Sequence, residues 1–170
     1  MSIAQAKANT ENMLQMAKDV GLDYQMDTLI LTNTFDAHRL TMFAKTKGLM
    51  HEMTERLLRA HFTESKHIGN HEVLTELAVE VGLDKDSVES MLASNEMANE
   101  VRNDERTARQ YGISGVPFFL INKKYALSGA QPTETFVQAF NKIIAEDKII
   151  VLNNEDGIIC DDDGCEIPKT

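Results

Sequence analysis

The eight-residue stretch Gly115–Asn122 restricts the backbone more than any other part of this sequence. Pro117 has no N–H to donate and disfavours helical geometry at Val116, so this pair predicts extended backbone at the start of a strand. The apolar run Phe118–Ile121 predicts the strand itself. The polar residues that follow can turn the chain into a second strand over Tyr125–Gly129. We therefore predict an antiparallel β-hairpin.

Apolar residues recur at helical spacing in several segments on either side of this hairpin. A first helix is predicted over Ile3–Val20, and Tyr24–Thr32 is predicted to be an irregular connection. Further helix starts are marked by side chains that can cap an N-terminus, at Asn33 or Thr34, Asn70, Asp84 and Ser94. A last helix is predicted to begin at Pro132-Thr133. The chain is therefore expected to be α+β and mainly α.

Size and charge limit the class of protein and its partners. The chain has 170 residues, of which 42% are hydrophobic, and this suits one well-cored domain. Its net charge of −10 repels nucleic acid and anionic membranes, so neither is predicted as a partner. No apolar stretch approaches the ~20 residues of a membrane helix, and no signal-peptide pattern opens the sequence. These features predict a cytoplasmic protein.

The two cysteines, Cys160 and Cys165, are candidate redox residues in an acidic C-terminal segment. Gly164 lies between them and permits a tight loop that would bring their sulfurs together. Three consecutive aspartates separate Cys160 from Gly164, and their negative charge is expected to raise the thiol pKa and slow exchange. The pair is therefore compatible with an auxiliary disulfide, and equally with idle reduced thiols.

The sequence gives little support to metal or cofactor sites. An EF-hand alignment on Gly164 places Ile159 and Thr170 at the first and last ligand positions, so a calcium site fails. Zinc would need ligands beyond the two cysteines, and no histidine lies near them in the sequence. Glycine-rich phosphate cradles and paired acid/base carboxylates are missing from the sequence. We predict no metal and no cofactor.

His38, together with Asp36 and Arg39, is compatible with a polar cluster beside a substrate cleft. The favoured interpretation is structural, in which these residues fix the start of a helix and its packing.

Three segments together resemble one known family. They are Asn33–Leu40, Leu58–Glu64 and Tyr111–Phe119, and they are similar to the DsbA-like thioredoxin family, specifically its FrnE-type disulfide oxidoreductases. The resemblance implies a helical block, a β-hairpin and a C-terminal helix of a thioredoxin fold. It also implies a cis bond before Pro117, with Val116 and Pro117 binding the substrate, and protein or peptide thiols and disulfides as partners.

The sequence departs from that family at its redox centre, because it contains no Cys-x-x-Cys and no β-α-β unit that would carry one. We therefore expect a truncated DsbA-like domain over residues 1–148, an acidic tail over residues 149–170, and an incomplete thioredoxin fold. FrnE-type proteins can carry a second C-terminal cysteine pair, so the resemblance makes Cys160 and Cys165 the catalytic candidates. Whether this chain is an enzyme stays open.

A hairpin without neighbouring strands exposes its edge and needs packing partners. We therefore expect a homo-oligomer that covers the hairpin or the adjacent apolar surface. Two other functions are weighed against oxidoreduction. One is a non-catalytic peptide-binding or dimerisation module, and the other is a relative of thioredoxin-fold isomerases and glutathione transferases.

Overall fold

The computed structural model describes residues 2–146, together with the backbone of residues 159–161 and 164–166. Within these residues the chain is mainly α-helical with two short antiparallel sheets, which confirms the predicted fold class. The helices are α1 (Ile3–Asp19), α2 (Phe35–Thr46), α3 (Met50–Phe62), α4 (His71–Glu80), α5 (Lys85–Ala93), α6 (Ala98–Gln110) and α7 (Thr133–Glu146). The strands are β1 (Phe118–Ile121), β2 (Tyr125–Ser128), β3 (Ile159–Asp161) and β4 (Gly164–Glu166).

The chain divides into two compact units. The helical unit, Met1–Gly112, contains α1 to α6, and the hairpin unit, Ile113–Thr170, contains β1, β2, α7, β3 and β4. The boundary predicted between residues 148 and 149 falls among residues that the structure does not describe, and so does the strand predicted over Ile149–Leu152.

Helix α2 is the centre of the helical unit, because it packs against α3, α4, α5 and α6. Its buried side chains include Leu40 and Ala44, which have no exposed surface. Around them lies one continuous apolar core, whose members are Ala37, Leu40, Phe43, Ala44, Met53, Leu57, Ala60, Ile68, Leu74, Leu77, Ala78, Leu83, Val88, Met91 and Leu92. The burial of these apolar side chains is the main source of the helical unit's folding free energy.

Two of the predicted helix caps are confirmed and one is wrong. The side chains of Asn70 and Asp84 accept hydrogen bonds from the backbone N–H of Val73 and Ser87, respectively. Ser94 was expected to open a helix, but it ends α5 instead. Its hydroxyl donates to the carbonyl of Met91 at 2.9 Å, and α6 begins only at Ala98. The serine is thus engaged by the helix before it, not by the helix after it.

The connection between α1 and α2 is irregular, as predicted, and it is fastened to the end of α3 and the loop that follows. The amide of Gln25 donates to the carbonyl of Phe62 at 2.7 Å. Farther along, the Thr32 hydroxyl and His67 Nε2 lie 2.9 Å apart. Gly69 lies against this connection, and a Cβ at that position would be 2.1 Å from Thr32 Oγ1. Glycine is therefore required there for steric reasons.

A buried arginine joins α3 to two carboxylates. Arg56 is 7% exposed; its Nε donates to Glu80 at 2.5 Å and its Nη2 to Glu64 at 2.9 Å. Burial opposes ionisation of Glu64, but the hydrogen bond from Arg56 and the positive charges of Arg56, Lys66 and Arg59 together outweigh it and lower the pKa of Glu64. The same guanidinium lowers the pKa of Glu80 through its hydrogen bond.

None of the helices in the described part of the chain has the length and apolar character that crossing a membrane requires.

Candidate functional site

The peptide bond between Val116 and Pro117 is cis, as the family resemblance implied. It lies directly before β1, where the proline has no N–H to contribute to a strand ladder. The carbonyl of Pro117 accepts a hydrogen bond from the Gly129 amide at 2.8 Å, which extends the hairpin by one residue pair. Val116 is 89% exposed, so this corner of the hairpin is open to an approaching chain.

The predicted hairpin is present. β1 and β2 pair antiparallel, with Phe118 opposite Ser128 and Ile121 opposite Tyr125. The connecting turn places Asn122 and Lys123 at φ 52° and 56°. Left-handed backbone of this kind suits tight hairpin turns, and asparagine tolerates it well.

Helix α7 supports the hairpin through aromatic contacts. The ring of Phe119 in β1 meets the ring of Phe136 edge to face, with centroids 4.9 Å apart. Near the other end of α7, the Tyr125 hydroxyl donates to Glu146 Oε2 at 2.9 Å. These two contacts join both strands of the hairpin to α7, which fixes the position of the segment that carries Val116 and Pro117.

The backbone around the two cysteines forms a second, smaller hairpin. β3 and β4 pair antiparallel, and Cys160 is directly opposite Cys165 in their register. The side chains of both residues lie outside the described part of the structure. This hairpin could not be predicted from the sequence, because three-residue strands that contain aspartate and glycine show almost no β propensity.

The four predicted site residues therefore lie at two separate hairpins. Cys160 and Cys165 are opposite each other in the backbone register of β3 and β4, whereas Val116 and Pro117 lead into β1. Both pairs belong to the hairpin unit.

The three residues of the predicted polar cluster, Asp36, His38 and Arg39, have different roles in the structure. Arg39 is 4% exposed, and its guanidinium donates to the carbonyls of Met91, Ser94 and Glu96 at 2.7, 2.6 and 2.9 Å. It also donates to Asp36 Oδ1 at 2.8 Å. Arg39 thus holds the end of α5 and the following loop against α2, which agrees with the structural interpretation.

Asp36 joins Arg39 to a second helix. Its Oδ2 lies 2.8 Å from His71 Nε2 at the start of α4. Burial opposes ionisation of Asp36, but the hydrogen bonds and electrostatic attraction of His71 and Arg39 together outweigh burial and lower the pKa of this carboxyl. This ion-pair network is a clamp between helices.

His38 is exposed and borders a cavity of about 440 Å³ between α2 and α3. Sequence reasoning missed this cavity, because its walls come from α2, α3 and the loop before α4. Methionine and leucine residues recur at helical spacing on α3, and this pattern is equally compatible with a tightly packed helix face and with the wall of a cavity. Only the packing of the helices distinguishes the two.

Comparison with known proteins places these features in a family. Residues 1–141 match the model of the DSBA-like thioredoxin domain. A crystal structure of a probable DsbA oxidoreductase from Streptomyces coelicolor is 38% identical and superimposes with a TM-score of 0.81. That similarity covers 99% of this chain and 72% of the Streptomyces chain.

Two further proteins are similar over less of the chain or at lower identity. The protein YwbO from Bacillus subtilis is 34% identical over 100 residues, which are 58% of this chain. The chain spans about half of the length of this curated relative, since the match covers 50% of it. The cytosolic disulfide reductase DsbM from Pseudomonas aeruginosa, solved with GSH, superimposes with a TM-score of 0.58 at 20% identity. The superposition covers 78% of this chain and 73% of DsbM, and at this identity it shows only that the fold is shared. On the family match, the chain belongs to the DSBA-like thioredoxin domain family.

Proposed function

We propose that this chain is a thiol-disulfide oxidoreductase of the FrnE type in which the C-terminal cysteine pair has a redox role. The observation that carries this proposal is the 38% identity to a probable DsbA oxidoreductase across nearly the whole chain. In support, the exposed Val116 and the adjoining Pro117 precede a well-formed strand. We assign substrate binding to this pair and protein or peptide disulfides as the substrates.

We further propose that Cys160 and Cys165 carry out the exchange. Residues directly opposite in an antiparallel pair have Cα atoms about 4.5–5.5 Å apart, which lies within the range for a disulfide. The thiolate of one cysteine attacks a substrate disulfide, forming a mixed disulfide and releasing one substrate thiolate. The second cysteine then attacks the mixed disulfide, which forms the Cys160–Cys165 bond and releases the second substrate thiolate. The substrate gains two electrons and the cysteine pair loses two.

A reduction assay on insulin tests this proposal, with dithiothreitol as the electron donor and turbidity from the precipitating B chain as the signal. The wild type should accelerate precipitation over the uncatalysed reaction, and Cys160→Ser/Cys165→Ser should lose that acceleration. Val116→Asp is expected to slow the reaction while leaving thiol content unchanged. Equal rates for wild type and the double variant would contradict the assignment of the two cysteines.

The same proposal includes self-association in the cytoplasm. In the described part of the hairpin unit, β1 and β2 pair only with each other, so each strand has one open edge. Val137, Phe140 and Ile144 of α7 are 52%, 45% and 68% exposed. A second copy that covers this edge and this helix would remove apolar surface from water. Sedimentation equilibrium should show a dimer that Val137→Lys weakens; a monomer at all micromolar concentrations would exclude it.

The open edge also favours a second candidate function, a module that binds an extended peptide by strand addition without chemistry. Peptide binding that persists in Cys160→Ser/Cys165→Ser, with no activity on insulin in the wild type or in this variant, would favour the peptide-binding module over oxidoreduction.

A relationship to glutathione-using enzymes is the third candidate, since the DsbM structure contains GSH. Calorimetric titration with glutathione checks this, and absence of binding at millimolar concentration rejects it.

A further inference from the structure

The cavity between α2 and α3 has the dimensions of a ligand site, and nothing in the proposed thiol chemistry uses it. Its volume of about 440 Å³ lies within the ~300–1,000 Å³ typical of small-molecule sites. We propose that it binds a small, uncharged, mainly apolar molecule that carries one hydroxyl or carbonyl group. This proposal concerns the helical unit alone and does not depend on the activity of the cysteines.

Most of the cavity wall is apolar. It is formed chiefly by Met42, Met50, Leu57, Leu58, Phe62 and Ile68. Two of these side chains remain partly open to water although they border the cavity, since Met50 is 37% exposed and Leu58 is 48% exposed. A bound apolar molecule would remove this surface from water, which is the main driving force for occupying such a cavity.

Three polar side chains that border the cavity are available to a ligand: Thr34, His38 and His61, whose buried Nδ1 has no hydrogen-bond partner among the described residues. Thr34 and His38 lie one helical turn apart, and both border the cavity. Thr34 stands at the N-cap of α2, but its side chain makes no capping hydrogen bond. Asn33 Oδ1 accepts from the Phe35 amide instead, at 2.9 Å. Among the described residues, neither the Thr34 hydroxyl nor the His38 ring makes a hydrogen bond, so both can bind a ligand group.

The other hydroxyls of the cavity wall are already engaged. Thr41 donates to the Ala37 carbonyl at 3.0 Å, and Thr54 donates to the Met50 carbonyl at 2.8 Å. A threonine that bonds to the carbonyl four residues earlier has used its only proton. Thr34 therefore differs from its two neighbours in having a proton to donate to a ligand, and this places the polar end of the ligand at the N-terminus of α2.

Charge at the cavity selects an uncharged ligand. No lysine, arginine, aspartate or glutamate is among the described residues that border it. An ionised ligand would lose its hydration there without gaining a paired charge, which is costly. The ligand class is therefore a neutral, mainly apolar molecule whose hydroxyl or carbonyl group is bound at Thr34.

Titration of the full chain with 2-naphthol at pH 7, followed by its fluorescence, tests the proposal. We expect saturable binding at one site. Naphthalene, which lacks the hydroxyl, should bind more weakly by about fivefold, the effect of one neutral hydrogen bond. The anion 2-naphthoate should bind more weakly than 2-naphthol. No saturable binding of 2-naphthol, or tighter binding of 2-naphthoate, would overturn the proposal.

Variants locate the binding within the cavity. Thr34→Val keeps the side-chain shape and removes the hydroxyl, so it should weaken 2-naphthol binding about fivefold and leave naphthalene binding unchanged. Thr46→Val is the matched control, because the Thr46 hydroxyl is engaged by the Phe43 carbonyl at 2.7 Å and the residue does not border the cavity, so this variant should bind both compounds like the wild type. Thr41→Phe should fill the cavity and abolish binding. If Thr41→Phe does not fold, the two valine variants still decide, and equal 2-naphthol affinity in both would place the binding elsewhere.

Discussion

The helical unit and the hairpin unit differ sharply in how much apolar surface they bury. Fifteen residues of the helical unit form one buried core, whereas Ile143 is the only buried residue among those described in the hairpin unit. Both units contain long apolar side chains, so the difference does not arise from composition. It arises because α2 is surrounded by four helices, while in the described structure β1 and β2 pair only with each other.

The unit with the large core is therefore not the unit that contains the predicted functional residues. The predicted substrate-binding and redox residues all lie in the hairpin unit, which has little core of its own. A two-stranded sheet is marginal in water without packing partners. We infer that the helical unit supplies most of the folding free energy, and that the exposed apolar surface of the hairpin unit is available for binding.

The largest expected effect is on the clamp at Arg39. Arg39→Met removes a charged hydrogen-bond donor from three backbone carbonyls and from Asp36. The free energy of unfolding should fall by about 3–5 kcal/mol, as for other buried ion pairs that lose one member. Arg109→Met, at an exposed ion pair of 3.8 Å, is the control and should change it by less than about 1 kcal/mol. Urea denaturation measures both, and similar losses would refute the clamp.

Truncation of apolar side chains compares the two units directly. Leu77 has no exposed surface, so Leu77→Ala should lower the free energy of unfolding by about 2–5 kcal/mol. Val137 of α7 is 52% exposed, and Val137→Ala should change it by less than about 0.5 kcal/mol. Thermal or urea denaturation at low protein concentration, where association is weak, gives both values. A larger loss at Val137 than at Leu77 would reverse our assignment of the two units.

Glycine replacement gives a smaller effect with an internal control. A Cβ on Gly69 would meet Thr32 Oγ1 at 2.1 Å and the Asn33 carbonyl at 3.1 Å, so the connection before α2 must shift. We expect Gly69→Ala to cost about 1–3 kcal/mol. Gly115 has nothing within 4 Å of the same position, and Gly115→Ala should be tolerated. Denaturation midpoints of the two variants test this, and equal midpoints would mean that the Thr32 contact is easily relaxed.

Low pH should lower the free energy of unfolding of the helical unit by weakening the ion pairs of Arg56 with Glu64 and Glu80. We expect this effect to be the smallest of the four. The pKa of Glu64 and of Glu80 is lowered in the folded state from the ordinary value of 4.5. A lowered pKa stabilises the fold above that ordinary value, and this contribution is lost as pH falls through the folded-state pKa. Because both carboxylates are partly exposed, we expect the loss to be about 0.5–1 kcal/mol.

The measurement for this prediction is the free energy of unfolding between pH 7 and pH 3. Arg56→Met should flatten its acid branch, whereas Lys85→Met, which removes an exposed pair with Glu89, should leave that branch unchanged. An acid branch of unaltered slope in Arg56→Met would assign the acid sensitivity to other carboxylates.

Features governed by local rules could be predicted from the sequence. Pro117 and the apolar run after it identified the hairpin, and the capping side chains of Asn70 and Asp84 identified two helix starts. Ser94 was assigned to the wrong helix, because a serine near two helices can bond to either one. Its choice depends on which carbonyl the fold brings within reach.

Features that depend on packing could not be predicted. Arg39 bonds to the carbonyl of Met91, 52 residues later in the chain, and no local pattern reveals such a contact. The cavity between α2 and α3 likewise depends on how two apolar faces meet. The spacing of Cys160 and Cys165 made a disulfide between them conceivable. The two short strands that place these residues opposite each other could not be predicted, because their sequences show almost no β propensity.

Native-state hydrogen exchange tests the central comparison most directly, because it reports the local free energy of opening for each amide. We predict that amides of α2, α3 and α4 exchange only through global unfolding, and that amides of the β1–β2 hairpin exchange through local opening of much lower free energy. Protection of the hairpin equal to that of α2, in a protein shown to be monomeric, would contradict the claim that the hairpin unit depends on surfaces beyond its own core.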